Sequence, residues 1–313
     1  MNNNVLMTRM LPAALVTQLR QHCNLSGPIT ALDGSDLPAG AENVEVLLTM
    51  SSLPTERALI DALPQLKLVC CYGSGIEFVD TAYLRQKGIA LTNAAGTNAA
   101  SVAEFALGLM LAASRQIITS DRFLRSGEWQ GNSVLRYPLA PGLQGRRLGI
   151  YGLGEIGMQI AQRAQAFGME IGYYSRSRKT TAYHYCEDIM QLADWADILV
   201  LAARGTPENY HVADETVLRL LGKEGYLINI ARGMLVDENV LCAALEQGEL
   251  AGAALDVYEF EPAISARLQA APNTILTPHV AANTFSAQHA QQQRMLENVI
   301  RYFSGRPLVG SCG

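Results

Sequence analysis

The sequence predicts an α/β protein of two parallel-sheet domains, and three observations carry that reading. Short apolar runs alternate with helical patterns along most of the chain, as strand–helix–strand units do. The alternation comes in two series, over residues 5–91 and 147–279, with a long apolar helical stretch between them. A chain of 313 residues, 49% of them hydrophobic, has the length for roughly two domains and enough apolar side chain for a substantial core.

The first series opens with Val5-Leu6-Met7 as a strand and continues with a helix over 13–22 and a strand over 44–50. A helix over 56–63, a strand over 66–72, a short helix over 81–87 and a strand at 89–91 complete it. Such alternation fits a small unit around a mostly parallel sheet. Residues 99–114 are helical and apolar nearly all round, rich in Ala and with one Gly, so this helix belongs against something large, a domain junction or a subunit interface. The second series gives strands near 148–151, 169–174, 197–202, 226–230, 252–257 and 274–277. A last helix, 286–303, begins polar and Gln-rich, gains an apolar face, and meets Gly305 and Pro307 as stop signals.

Gly152-Leu153-Gly154-Glu155-Ile156-Gly157 follows the first strand of that second series and opens a helical segment over 158–167. In this strand–turn–helix setting the G-x-G-x-x-G pattern reads as a dinucleotide site. Gly152 permits the tight turn, Gly154 lets the backbone approach a pyrophosphate, and Gly157 lets helix and strand pack closely. The helix N-terminus meets the anion with N–H groups and its positive dipole end. The next strand ends in Ser175-Arg176-Ser177-Arg178-Lys179, where an NAD site usually carries Asp or Glu for the ribose 2′-hydroxyl. A neutral Ser175 and a cationic Arg176 there point to NADP(H).

A formal charge of −5 argues against a general nucleic-acid binder, so the basic residues at 176–179 are a local feature. Cys23, Cys70, Cys71, Cys186, Cys242 and Cys312 have no metal-type spacing and read as reduced thiols, Cys70 and Cys71 within an apolar strand. His184 and Cys186 with Tyr183 and Tyr185 look metal-like, but without a second cluster they read as loop surface; no metal site is expected. No run of ~18 residues is both free of charge and continuously apolar, so no membrane span is expected. Residues 1–16 lack the pattern of a signal peptide, and a cytoplasmic location is the expectation.

Three polar residues stand just after strands of the second series: Arg232 after Leu227-Ile228-Asn229-Ile230, Glu261 after 253–257, and His279 after 274–278. Ligands of open α/β sheets lie outside the carboxyl ends of strands, so these three are placed to converge on a nicotinamide ring. A guanidinium would hold and polarise a 2-keto acid, and an imidazole would protonate the new alkoxide. A carboxylate beside that imidazole would favour its charged form. Singly, each has a plain structural alternative: a surface turn for Arg-Gly, a helix start for Glu-Pro, a loop or cap for His after Pro.

With the glycine turn, the runs Asn229-Ile230-Ala231-Arg232-Gly233, Val236-Asp237, Ala254-Leu255-Asp256-Val257-Tyr258-Glu259-Phe260-Glu261-Pro262 and Pro278-His279 resemble the D-isomer-specific 2-hydroxyacid dehydrogenases, in order and spacing, from about residue 44 onward. Tyr173-Tyr174-Ser175-Arg176-Ser177 is most similar to the NADPH-dependent glyoxylate/hydroxypyruvate reductase branch, including the hydroxyphenylpyruvate reductases. The resemblance implies Arg232 as substrate-binding, His279 as acid/base, Glu261 as its partner and Asp256 at the nicotinamide carboxamide. It implies that the Gly73-Ser74-Gly75 loop offers N–H groups to the substrate carboxylate, with Ser74 and Gly75 as contacts; a tight strand-to-helix turn is the plainer alternative. It also implies a discontinuous, flavodoxin-like substrate domain, 1–95 plus 285–313, a Rossmann domain inserted over 96–284, and a homodimer packed through the helix near 99–114. Cofactor contacts would come from Gly152, Gly154, Glu155, Ile156, Gly157, Ser175, Arg176 and Ser177.

Two positions depart from the family pattern. Ala281 stands where Gly is frequent, and Arg204 where a small or apolar residue usually lies against adenine. Arg204 can stack on adenine or reach the 2′-phosphate, and a solvent-facing role is equally open. The expected activity is hydride transfer from NADPH to a small 2-keto acid, glyoxylate or hydroxypyruvate. The alternative is a dinucleotide-sensing protein of the same fold, like certain transcriptional co-repressors, which resemble the enzymes at Arg232, Glu261 and His279; the basic tip favours the enzyme. Glu261 in place of Gln argues against a formate dehydrogenase, and the chain's end soon after Phe303 against a phosphoglycerate dehydrogenase with a regulatory tail.

Overall fold

The structure, a computed structural model, describes residues 3–130 and 138–312. The chain forms two compact units, Met1–Asn98 with Thr284–Gly313, and Ala99–Asn283.

The first unit is built on five parallel strands: β1 Asn4–Met7, β2 Asn24–Ser26, β3 Val46–Met50, β4 Leu68–Tyr72 and β5 Ala90–Thr92. Their order, β2-β1-β3-β4-β5, is that of the flavodoxin-like fold. Alternate residues of a strand face opposite ways. Leu6, Leu47, Val69 and Leu91, aligned across four strands, therefore share one face with Leu59 and Leu84. Val5, Met7, Val46, Leu48, Leu68 and Cys70 share the other, where Met295, Leu296 and Val299 of the C-terminal helix Phe285–Phe303 cover them. Each fully buried aliphatic side chain contributes about 1.5 to 3 kcal/mol. β2 is absent from the sequence-based reading: Asn-Leu-Ser at a partly exposed sheet edge has neither the length nor the apolar character of a recognisable strand.

The second unit carries seven parallel strands: β6 Arg147–Tyr151, β7 Glu170–Tyr174, β8 His184–Tyr185, β9 Ile198–Leu201, β10 Tyr226–Asn229, β11 Gly252–Leu255 and β12 Thr274–Leu276. The order β12-β11-β10-β9-β6-β7-β8 is the doubly wound Rossmann arrangement with one further strand at β12. Ile150, Ile171, Val200 and Ile228 face Val102, Ala106 and Met110 of the helix Ala99–Ser114 and Ile160 and Ala164 of the helix Glu155–Gln165. Leu199, Leu201, Leu227 and Leu255 face the opposite helices through Leu192, Val217, Leu241 and Leu245. The helix Ala99–Ser114 is buried almost all round within this unit, leaving only Ala100, Glu104 and Gly108 exposed along one line.

Two expectations need correcting. His184 and Tyr185 are not loop surface: they form the edge strand β8 beside β7, with Tyr185 against Tyr173 and His184 stacked on Trp195 at 5.0 Å. Two residues are too few to display a period. The helix expected over 158–167 begins earlier, at Glu155, and ends at Gln165. Gly157 weakens the helical signal of its first turn, while Glu155 suits the positive end of the dipole.

Candidate active site

The strand order reverses between β6 and β9, so the segments that follow them turn to opposite sides and leave the crevice where such sheets bind ligands. Gly152 lies there with φ +104, and a Cβ on it would stand 2.7 Å from Ala203 Cα. At Gly157 a Cβ would stand 2.2 Å from the Gly152 carbonyl oxygen, so helix and turn pack too closely for any side chain. Gly154 is the reverse case: nothing lies within 4 Å of its Cβ position. Open space thus faces the N-terminus of an 11-residue helix, with exposed Glu155 and half-buried Ile156 in its first turn. The residues present fit a pyrophosphate.

The tip beyond β7 has its own internal structure. Ser175 donates its hydroxyl proton to the Ser177 carbonyl at 2.8 Å. Tyr174 stacks on Tyr151 at 5.4 Å. Arg176 is exposed, and Arg178 lies over the Tyr185 ring at 5.3 Å. The Glu208 carboxyl is held below its usual range, first by the Thr206 hydroxyl and least by the charge of Arg176. Arg204 is exposed at the start of a loop that Asn209 closes, by donating to the Arg204 carbonyl at 2.9 Å and accepting from Thr206 N at 2.7 Å.

At the same sheet edge, Arg232, Glu261 and His279 follow β10, β11 and β12, three strands paired side by side. Glu261 and His279 meet directly: Nδ1 of His279 lies 2.7 Å from Oε2 of Glu261. An ionised carboxylate only accepts, so Nδ1 is the donor and Nε2 is the ring nitrogen left to address another oxygen. The imidazole side chain is 48% exposed. Arg232 stands at the end of the neighbouring strand, with Nη1 donating to the Ala231 carbonyl at 2.7 Å.

The framework beneath this pair comes from residues whose role sequence reasoning missed. Asp256 is buried, and its carboxylate accepts from Thr277 Oγ1 at 2.7 Å, Val280 N at 2.9 Å and Ala281 N at 2.8 Å. It thereby clasps the turn that carries His279, whose own φ is +52. Ala281 fits because its methyl is buried in the core. Asn229, fully buried, accepts from Ala231 N at 3.0 Å and donates to the Arg232 carbonyl at 2.9 Å, shaping the Arg232 turn. Tyr258 donates its hydroxyl to the carbonyls of Leu255 and Thr277, and burial pushes its phenol up to about 12. The available signal was a polar residue ending an apolar strand, as Asn229 and Asp256 do.

In the first unit, Gly73 takes φ +110, and the loop carbonyls of Gly73, Ser74 and Gly75 accept from Ala94 N, Asn93 Nδ2 and Cys71 Sγ. All six cysteines are free thiols, and burial pushes those of Cys70 and Cys71 up to about 12. Among the described residues no group of His, Cys, Asp or Glu side chains is placed to hold a metal ion. No single helix among them is long and apolar enough to cross a membrane.

A Rossmann sheet with this glycine turn at its switch point, and a paired imidazole and carboxylate at the same edge, defines a dinucleotide-binding oxidoreductase. The model of the "D-isomer specific 2-hydroxyacid dehydrogenase, NAD binding domain" family matches residues 107–281, and the chain belongs to that family. It is 39% identical over 270 residues to hydroxyphenylpyruvate reductase of Plectranthus scutellarioides, covering 86% of this chain and 85% of the relative. With glyoxylate/hydroxypyruvate reductase A of Arabidopsis thaliana it shares 37% identity over 97% of both chains. Among solved structures, an NADPH-dependent glyoxylate/hydroxypyruvate reductase of Sinorhizobium meliloti in complex with NADP and malonate matches with a TM-score of 0.88 and 31% identity, covering 99% of this chain and 96% of that one.

Proposed function

We propose that this protein reduces a small 2-keto acid, glyoxylate or hydroxypyruvate, to the 2-hydroxy acid, of D configuration where the product is chiral, using NADPH. The observation that carries the reading is the 2.7 Å contact between Nδ1 of His279 and Oε2 of Glu261, at the sheet edge that also carries Arg232 and the glycine turn. His279 is the general acid: Nε2 delivers a proton to the carbonyl oxygen as it becomes an alkoxide. Glu261 holds the ring by Nδ1 and balances the imidazolium charge. Arg232 binds and polarises the keto acid, a role suited to a guanidinium with several fixed donors. In the first unit, Ser74 and Gly75 are the proposed contacts of the substrate carboxylate.

Gly152, Gly154 and Gly157, with Glu155 and Ile156 in the helix turn, would hold the cofactor's pyrophosphate, Arg176 beside Ser175 and Ser177 its 2′-phosphate, and Asp256 the carboxamide end. When bound, the reduced nicotinamide supplies the hydride that adds to the carbonyl carbon. NADPH rather than NADH is supported by Arg176 and by the absence of an acidic side chain at 175–177. Exposed Ile117, Leu124 and Trp129, 52 to 55% accessible, support a homodimer. Free thiols suit the reducing cytoplasm.

The test is turnover of glyoxylate, hydroxypyruvate and hydroxyphenylpyruvate with NADPH and with NADH. The expected result is the highest kcat/KM for one of the two smaller acids with NADPH. Tight NADPH binding without reduction of any 2-keto acid would overturn the reading in favour of a sensor.

A further inference from the structure

Away from the His279–Glu261 pair, but within the same unit, a second histidine sits among carboxylates. Nε2 of His211 lies 2.9 Å from Oε1 of Glu259, and Nδ1 lies 3.5 Å from Oδ2 of Asp237. Tyr210 stacks on the His211 ring, with centroids 3.8 Å apart, and donates its hydroxyl to the same Glu259 oxygen at 2.5 Å. Glu238, buried beside them, accepts from the Glu259 backbone N–H at 2.8 Å. The imidazole is 25% exposed and the Glu259 side chain 12%, so water competes only weakly for these contacts.

The cluster joins three stretches of chain, two of which carry proposed catalytic groups. His211 N donates to the Met234 carbonyl and Ala213 N to that of Leu235, laying 211–213 beside the turn that leaves Arg232. From there the His211 ring reaches Glu259, two residues before Glu261. Between Glu259 and His279 the contacts follow in series: Glu261 Oε1 accepts from Tyr258 N at 3.0 Å, and Oε2 meets His279. The turn 258–261 lies outside any strand or helix, so side chains must fix it. His211 also holds φ +51, a conformation unusual for a residue with a side chain. Strain of this kind persists where its surroundings hold it in place.

We propose that the His211–Glu259 pair is a positioning element that ties the Arg232 segment to the 258–261 turn and thereby sets the geometry in which Glu261 holds His279. It deepens the functional reading above and rests on it: neither His211 nor Glu259 needs to touch substrate or cofactor. Its effect reaches the reaction through Glu261.

The experiment compares wild type, His211→Asn, Glu261→Gln and the double variant. Among residues with a side chain Asn accepts left-handed backbone well, so the change removes the imidazole without adding strain to the loop. His211→Asn is expected to lower kcat about 5- to 10-fold, no more than Glu261→Gln itself, because a small misplacement of the catalytic pair is what it causes, while the glyoxylate KM and the NADPH Kd change less than about threefold. In the Glu261→Gln background the same substitution is expected to cost no more than about twofold further, because the two act on one contact. Additive losses, or an unchanged kcat in His211→Asn, would overturn the inference. A second readout does not depend on turnover: the downfield proton resonance of the His279 Nδ1–H bond, assigned by its loss in His279→Ala. Its loss in His211→Asn supports the inference and its persistence overturns it. Failure of the wild type to reduce any 2-keto acid would sink the functional reading instead, and the resonance then decides on positioning alone.

Discussion

Nδ1 of His279 and Oε2 of Glu261 stand 2.7 Å apart although 18 residues separate them, because β11 and β12 are parallel neighbours whose chains leave the sheet at the same edge. Two turns then close the distance. One is clasped by the buried Asp256 carboxylate, and the other is held by Tyr258, whose hydroxyl reaches the carbonyls of both strand ends. The pair is therefore set by backbone architecture and not by two side chains finding each other in solvent.

Removing the acid should remove most of the rate. General acid catalysis typically contributes ~100- to 10,000-fold, so His279→Ala is expected to lower kcat by about that range with NADPH affinity unchanged. Glu261→Gln keeps an acceptor for Nδ1 but loses the charge that assists the bond, and is expected to cost about 5- to 10-fold. Steady-state kinetics with NADPH titration by fluorescence checks both. Near wild-type turnover in His279→Ala would show that the proton comes from elsewhere.

A structural test of the same turn lies at Gly233, directly after Arg232. A Cβ there would stand 1.8 Å from the Tyr258 carbonyl carbon and 2.3 Å from Glu259 N, both backbone atoms that cannot swing aside. Gly233→Ala must therefore push the turn that carries Glu261 away from the end of β10. The expected result is a loss of several kcal/mol of stability, about 3 or more, read as a lower urea midpoint, together with a lower kcat. Unchanged stability and rate would mean that the close approach is not needed.

How much of this was legible in the sequence follows from what each residue contacts. β6, β7, β9, β10 and β11 are apolar because both sheet faces are covered, and apolar runs between turn signals can be read directly. β2 and β8 escape because a three-residue and a two-residue edge strand are defined by their neighbours' hydrogen bonds, not by their own pattern. Arg232, Glu261 and His279 stand out as polar residues after apolar strands. Their supports are harder to read: Asn229 shows as a polar end to an apolar strand, but its fit under Arg232, like that of His211 against Glu259, is a contact that leaves no periodic trace. The Ser175 hydroxyl is a similar case, since nothing in the sequence tells that its one proton goes to Ser177.

The opposite edge of the second sheet supplies a prediction in pH. Asp197 accepts from Arg147 N at 2.7 Å and from the Arg147 guanidinium at 3.2 Å, joining the amino ends of β6 and β9. Burial pushes this carboxyl up, but the Arg147 hydrogen bonds and the charges of Arg147 and Arg146 outweigh it and hold it below 3.8. A lowered folded value gives stability that is present above the unfolded value and is lost as pH falls through the folded one. Asp197→Asn is thus expected to be less stable at neutral pH by about 1 kcal/mol, discounted for partial exposure, with the gap closing below about pH 4. Urea melts across pH check this. A constant gap would assign the cost to packing and not to charge, and kcat should be unaffected, since the site lies at the other end of the strands.

Cofactor choice is the last prediction, and the geometry of the β7 tip sharpens it. A 2′-phosphate beside Asp or Glu would meet like charge, whereas the residues here are Ser175, Arg176 and Ser177. Because Ser175 already donates to the Ser177 carbonyl, the discrimination falls chiefly on the exposed guanidinium of Arg176, which can place two N–H groups on phosphate oxygens. Arg178, over the Tyr185 ring, and Lys179 should matter less, through screened attraction only. One charged hydrogen-bond contact contributes roughly 1.5 to 3 kcal/mol, so Arg176→Ala is expected to weaken NADPH about 10- to 150-fold and to leave NADH nearly unchanged. Ser175→Asp combined with Arg176→Ala is expected to turn the preference toward NADH by restoring an acceptor for the 2′-hydroxyl. The measurement is kcat/KM for both cofactors with one keto acid at fixed ionic strength. Equal values in the wild type, or a preference for NADH, would show that Arg176 does not face the adenine ribose. The basic tip would then be only a solvated turn at the end of β7.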